Sequence, residues 1–196
     1  MKRGWKRYWR ADDLIAGVIL VLAVGLASAN GRDVQAGQRH NELTLAGLRP
    51  GKSKLPANAK MLGFPRPTKI DETGLYWSAS CYGDELHVQE STDQIVQTIT
   101  ASLLGLQVGD CVRSDAKLRR GMRSGKGLML GDSCGRVTEL YGEPESRSPS
   151  VQGSRKLELL FYSFDWAGED VPQSMEVSCD QTTGRVVEIT LAASTL

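Results

Sequence analysis

The side chains best suited to covalent chemistry are four cysteines and two histidines in a chain of 196 residues. Cys134 follows the start of a predicted helix, a position that lowers a thiol pKa, so a reactive thiolate is one interpretation. Such a nucleophile needs a neighbouring base, and the candidates are His40 and His87. Both lie in the first half of the chain and in no matching motif. The sequence therefore favours a structural disulfide at Cys134.

A second block, Gly131-Asp132-Ser133, resembles the serine block of one esterase family. That chemistry requires a histidine after the serine, and none follows His87, so we interpret Asp132 as a helix cap. The sequence contains no glycine-rich phosphate loop and no calcium-loop ligand series. We therefore predict no catalytic residue, no metal ligand and no cofactor. A hydrolase with an unrecognised site is the weakest alternative.

The predicted faces of two elements favour one of the three disulfide connectivities that four cysteines allow. Cys179 falls on the predicted core face of a strand, while Cys134 shares a helix stripe with Val137. The helix stripe and the core face should meet, which favours Cys134 with Cys179. Cys81 and Cys111 are then left to pair with each other.

Positive charge is concentrated in residues 113–126, which carry six basic side chains against one acid. These candidate anion-binding residues are Arg113, Lys117, Arg119, Arg120, Arg123 and Lys126. Such a stretch is typical of segments that bind anionic lipid, lipopolysaccharide or an acidic protein face. A solvated linker is the alternative.

Aromatic residues are the second candidate binding feature. Consecutive residues of a strand point to opposite faces, so neighbouring aromatics cannot all be buried under one helix. We predict Trp77 and Tyr162 in the core. The candidate protein-binding residues on an open sheet face are Tyr76, Phe161, Trp166 and His87.

The first 29 residues are unlike the remainder of the chain. Five basic residues precede the apolar run 14–26, which ends in Ala27-Ser28-Ala29, a pattern typical of a signal peptide. An uncleaved signal anchor is the alternative, and the lack of a cysteine after the run disfavours a lipid-modified N-terminus. Without residues 1–29 the chain keeps 19 basic and 21 acidic residues, so strong polyanion binding is not the default interpretation and no nucleic-acid partner is predicted.

The remaining residues contain an internal repeat, in which one pattern of glycines, apolar runs and turns occurs twice. Residues 47–51 and 62–65 correspond to 127–131 and 141–144, and residues 95–100 correspond to 185–190, 90 positions later. We predict an α+β fold of two tandem repeats, each a short helix packed on a three- or four-stranded antiparallel sheet. The predicted boundaries are 1–29 for the signal peptide, 30–45 for a lead-in, 46–104 for the first repeat, 105–126 for the basic inter-repeat segment and 127–196 for the second repeat.

This pattern resembles the SmpA/OmlA (BamE-like) module. The resemblance rests on Gly127-Leu128-x-x-Gly131, a short helix, Tyr141-Gly142-x-Pro144 and strands that end in Gly184-Arg185-Val186-Val187. The first copy departs from the pattern at Pro56, and two units in tandem are also similar to the β-lactamase inhibitor protein architecture. The resemblance implies helices on one face of an antiparallel sheet and a role in binding proteins at the cell envelope.

These observations predict an exported, non-enzymatic module of the bacterial cell envelope that uses its sheet face to bind another envelope or secreted protein. The alternative is a protein of the envelope surface that binds anionic lipid or lipopolysaccharide through residues 113–126. The predicted location is periplasmic or secreted, or the inner membrane if the signal is an uncleaved anchor.

Overall fold

The strands alternate buried and partly exposed side chains, and hydrogen bonds join them into one sheet. A computed structural model of the chain describes residues 40–55, 67, 69–71, 74–79, 83–105, 120–168 and 172–193. The strands are β1 (Lys69–Asp71), β2 (Gly74–Ala79), β3 (Asp84–Glu90), β4 (Val96–Ser102), β5 (Ser146–Gln152), β6 (Arg155–Ser163), β7 (Ser174–Asp180) and β8 (Arg185–Ala192). Helix α1 (Cys134–Tyr141) precedes β5, and a 3-10 turn (Asp165–Ala167) follows β6.

The sheet consists of two four-stranded meanders that meet at their last strands. Its order is β1-β2-β3-β4-β8-β7-β6-β5, and every neighbouring pair is antiparallel. At the junction Thr100 of β4 pairs with Thr190 of β8, and their hydroxyl oxygens lie 3.0 Å apart. Residues 98–102 of β4 pair in antiparallel register with residues 188–192 of β8, which makes the two meanders one continuous sheet.

One face of the sheet, which we call the covered face, forms the hydrophobic core. Alternate side chains of the four central strands point there and are buried, for example Ile99, Val177 and Ile189. The covering layer combines α1 with the irregular segments 42–55 and 120–133. Its buried contributions to the same core are Leu45, Leu48, Met122, Leu128, Val137 and Tyr141. The opposite side of the sheet is the open face.

The predicted fold of two helix-on-sheet repeats is wrong. The described residues form a single continuous sheet of eight strands with one complete helix, α1, on its covered face. The physical reason is the pairing of β4 with β8. Each of these two last strands supplies the hydrogen-bonding partner for the edge of the other, so the two meanders share one core. The helix predicted for the first repeat falls between Gly51 and Leu62, and residues 56–66 lie outside the described residues.

Helix α1 lies where the sequence pattern placed the second helix, but its cap differs from the prediction. The N-cap residue is Ser133, and the Asp132 carboxylate instead accepts a hydrogen bond from the Met129 N–H at 2.9 Å. Gly142 ends the helix with φ 81°, a left-handed backbone that favours glycine. Among the described residues, no helix combines the length and apolar character needed to cross a membrane.

The outer edge of the second meander is closed to further pairing by a proline. Gln152 pairs with Arg155 across a two-residue turn, which makes this pair the hydrogen-bonded kind. Hydrogen-bonded and non-hydrogen-bonded pairs alternate along β5, so the pair of Pro149 with Glu158 is of the non-hydrogen-bonded kind. The backbone nitrogen of Pro149 therefore points away from β6, at the centre of the free edge. Because proline has no N–H, the strand lacks a donor where an added strand would need one.

Candidate functional site

The strand register aligns three of the predicted protein-binding residues in one row across the sheet. Successive cross-strand partners in this row are Tyr76, His87, Thr100, Thr190, Glu176 and Phe161, and we call the set the transverse row. Five strand spacings separate residues 76 and 161, a distance of about 24 Å. The row therefore has an aromatic residue at each end and polar residues between them.

The transverse row lies on the open face, since its members alternate with core residues. Leu160 and Tyr162 are buried against α1 and its neighbours, while Phe161 between them remains 37% exposed. His87 is partly exposed and lies between two buried strand neighbours, Leu86 and Val88. The predicted burial of Trp77 and Tyr162 and the predicted exposure of Phe161 are confirmed; the side chain of Tyr76 lies outside what the structure describes.

Glu85 and Glu188 belong to a second row beside the first, in which they alternate with the buried serines Ser102 and Ser178. Glu85 pairs with Ser102, Ser102 pairs with Glu188, and Glu188 pairs with Ser178. Burial raises the pKa of Glu188, and the charges of Glu176 and Glu85 act in the same direction. The Ser102 and Ser178 hydroxyls oppose this shift by hydrogen bonding to the carboxylate. The open face is therefore polar and locally acidic beside the aromatic ends.

Trp166, the fourth predicted protein-binding residue, lies beyond the transverse row. It belongs to the 3-10 turn after β6 and is 46% exposed. Its Nε1–H donates a hydrogen bond to the carbonyl oxygen of Ser163 at 3.1 Å, which ties the indole to the end of the strand that carries Phe161. Two exposed aromatic residues therefore belong to one corner of the sheet.

The basic segment contributes three described residues to a pocket in the covering layer. Arg120, Arg123 and Lys126 line a cavity of about 580 Å³ between residues 44–47 and 120–127. The remaining lining residues are small: Thr44, Ala46, Gly47, Gly121, Ser124, Gly125 and Gly127. The other predicted anion-binding residues, Arg113, Lys117 and Arg119, lie outside the described residues.

A buried glutamate that the sequence did not single out holds this pocket together. Glu42 is 2% exposed, and its Oε1 accepts hydrogen bonds from the N–H groups of Leu43, Thr44 and Gly125. Its Oε2 accepts from the Lys126 N–H at 3.0 Å and from the Tyr141 hydroxyl at 2.6 Å. One carboxylate therefore joins the start of the described chain to the basic loop and to α1.

Tyr141 extends this network into the core. Its hydroxyl donates to Glu42 and lies 2.7 Å from the Ser124 hydroxyl, which in turn accepts a hydrogen bond from the Leu128 N–H. Burial and the neighbouring Glu42 carboxylate raise the pKa of the Tyr141 phenol. The phenol therefore stays protonated and remains a hydrogen-bond donor at physiological pH.

The predicted disulfide between Cys134 and Cys179 is present and fixes α1 to β7. The two Cα atoms are 6.0 Å apart, within the range that a disulfide spans without backbone movement. A disulfide of this kind is typical of proteins that fold in an oxidising, exported location. The second predicted pair, Cys81 with Cys111, lies outside the described residues.

The Gly131-Asp132-Ser133 block has a structural role in this fold. Gly131 N–H donates to the carbonyl oxygen of Val186, and the Val186 N–H donates to the carbonyl oxygen of Asp132. These bonds fasten the start of α1 to the last strand. Within the described part of the chain, no three histidine, cysteine, aspartate or glutamate side chains are grouped closely enough to hold a metal ion.

Comparisons with known proteins do not assign the chain to a family. No family model and no curated protein matches it. A solved structure that it partly resembles is a cysteine-rich secretory protein from Staphylococcus aureus, with 11% sequence identity and a TM-score of 0.37. The match covers 80% of this chain and 49% of that one, so the chain spans about half the length of that protein. The resemblance to SmpA/OmlA (BamE-like) modules stays a prediction.

Proposed function

We propose that the chain is an exported, non-enzymatic module of the bacterial cell envelope that binds another envelope or secreted protein through its open sheet face. The observation that carries this proposal is the transverse row. It places the exposed ring of Phe161 and several partly exposed polar side chains on one regular surface, while stability is supplied by the opposite face. The disulfide supports an exported location, in the periplasm or outside the cell, or at the inner membrane if the N-terminal segment is an anchor.

The chemistry of the open face suits recognition of a protein surface. Aromatic side chains supply most of the binding free energy in many interfaces, because they bury a large area at low cost in conformational entropy. Phe161 and Trp166 provide such anchors at one corner. Along the transverse row from Phe161, Glu176, the two threonines and His87 provide hydrogen bonds and charge, which set orientation and specificity.

Site-specific photo-crosslinking in envelope extract tests the proposal. A photoreactive phenylalanine analogue replaces Phe161 in one variant and Met129 in a control, which is 41% exposed but belongs to the covering layer. We expect one protein to be crosslinked from position 161 and not from position 129. Equal crosslinking from both positions, or none from position 161, would contradict the assignment of the open face.

Affinity measurements with the crosslinked protein then test the individual anchors. Phe161→Ala and Trp166→Ala should each weaken binding by about tenfold or more, since removal of an interface aromatic costs about 2 kcal/mol. Met129→Ala should leave the dissociation constant unchanged. An unchanged affinity in the double variant of Phe161 and Trp166 would overturn the proposal.

A further inference from the structure

We propose that the pocket between residues 44–47 and 120–127 is a binding site for a phosphate group, carried either by a soluble phosphate ester or by a lipid headgroup. This site lies in the covering layer, on the side of the sheet opposite the transverse row. It is therefore separate from the surface proposed to bind a protein, and each can fail without the other.

The charge of the pocket lining points to an anionic ligand. Three cationic side chains, Arg120, Arg123 and Lys126, line the cavity, and no acidic side chain does. Within the described part of the chain, none of the three forms an ion pair. Like charges grouped at one cavity repel each other, so an anion held among them would relieve that repulsion.

The loop that carries these cations is rigidly held. Buried and exposed residues alternate along it, with Met122 and Ser124 inside and Arg123 outside. The Gly125 N–H donates to the Thr44 carbonyl oxygen, and the Ala46 N–H donates to the Arg123 carbonyl oxygen. The cationic side chains therefore project from a fixed backbone, and binding costs less conformational entropy than it would on a free chain.

Among the described residues, the Glu42 carboxylate beneath the loop forms no ion pair with the two arginines, although its charge acts on Lys126. Its two oxygens are already used by four backbone N–H groups and the Tyr141 hydroxyl. The Lys126 ammonium instead lies 5.6 Å from the centre of the Tyr141 ring. Glu42 thus serves as an internal clamp for the backbone and leaves the guanidinium groups of Arg120 and Arg123 to line the cavity.

The glycines make the cavity possible. A Cβ atom on Gly125 would lie 2.6 Å from Glu42 Oε1 and 2.7 Å from Thr44 Oγ1, so a larger residue cannot occupy this position without displacing the clamp.

Arginine guanidinium groups bind phosphate oxygens through two parallel hydrogen bonds, and lysine adds a point charge. A volume of about 580 Å³ admits a phosphate together with the group that it esterifies.

Titration of the purified full-length chain with inorganic phosphate, at constant ionic strength, tests the site. Backbone amide NMR shifts report the location, and the glycine signals of residues 125 and 127 lie directly in the loop. We expect shifts confined to residues 44–47 and 120–127. Arg120→Gln with Arg123→Gln should weaken phosphate binding by at least about tenfold. Arg136→Gln with Lys156→Gln, which removes two exposed charges elsewhere, should leave it unchanged.

Vesicles distinguish the two sources of the phosphate group. Binding to phosphatidylglycerol vesicles that glycerol phosphate competes away, and that the Arg120 and Arg123 variant loses, identifies a lipid headgroup. Localised phosphate shifts without vesicle binding identify a soluble ester, and both results support the site. Shifts spread over all surface cations, or an equal loss of affinity in both double variants, would overturn it. Absence of localised phosphate shifts would also overturn it, whether or not vesicles bind.

Discussion

The two faces of the sheet use the same strands for different purposes. On the covered face Leu160, Val177 and Ile189 are buried in the core, while on the open face Phe161, Glu176 and Glu188 are exposed or partly exposed. Each residue of the second set lies next to one of the first in sequence. A one-residue step along a strand therefore separates a stabilising position from a recognition position.

The comparison teaches where changes should alter stability and where they should alter binding. The covered face is further held by the Glu42 network and by the disulfide, both of which join elements distant in sequence. On the open face, burial raises the pKa of Glu188 and so disfavours its charged form. Substitutions on the first face should therefore destabilise the fold strongly, and substitutions on the second should change its stability little.

The sharpest test substitutes two adjacent residues of β6. Leu160→Ala should lower the free energy of unfolding by about 3 kcal/mol, because it removes buried methyl groups and leaves a cavity. Phe161→Ala should lower it by less than about 1 kcal/mol, since the ring is partly in solvent. Urea denaturation of both variants measures the difference. Equal losses would show that the two faces are not distinct in the way described.

A smaller effect is expected at the clamp of the covering layer. Glu42→Gln should destabilise the protein by about 2 kcal/mol, because an amide group cannot accept the hydrogen bonds of five donors. Glu143→Gln is the matched control, since this glutamate is exposed and pairs only with Arg147 at the surface. Thermal unfolding should separate the two variants by several degrees. A clamp variant as stable as the control would make the covering layer independent of Glu42.

The smallest effect concerns Glu188 and depends on pH. Its pKa is raised in the folded protein, so the folded state binds a proton more tightly than the unfolded state does. Stability contributed by this group is therefore highest below its ordinary pKa and falls as pH rises through the raised value. Glu188→Gln should melt at the same temperature as the parent at low pH and above it at pH 8. Glu139→Gln, on the exposed side of α1, is the control and should show no such difference between low and high pH. The same response in both variants would show that the pH dependence does not come from the position of Glu188 on the open face.

Local periodicity predicted much of the covered face. The burial of Cys179, the position of α1 and the burial of Trp77 and Tyr162 all follow from neighbouring residues, and these predictions are confirmed. The pairing of Cys134 with Cys179 followed from the helical spacing that places Cys134 on the apolar stripe and from the strand spacing that places Cys179 on the core face. These features share one property: side chains a few positions apart decide which face of an element is apolar.

Long-range contacts were not predictable in this way. The β4–β8 pairing joins residues 90 positions apart, and nothing local to either strand selects the other as its neighbour. Glu42 precedes an apolar stretch and looks like a solvated lead-in, but its partners Gly125 and Tyr141 lie 83 and 99 positions away. Both the single sheet and the pocket depend on such contacts, so a search for alternating patterns could not find them.

The disulfide also decides how the chain would respond to mechanical force. Cys134 and Cys179 are 45 positions apart in sequence, and the segment between them contains β5 and β6. A pull applied at the two ends of the chain would pass from one sulfur atom to the other and bypass that segment entirely. About 150 Å of extensible chain is thus withheld from stretching until the bond is reduced. The corner that carries Phe161 and Trp166 lies within the bypassed segment, so tension applied to the two ends of the chain would not unravel it directly.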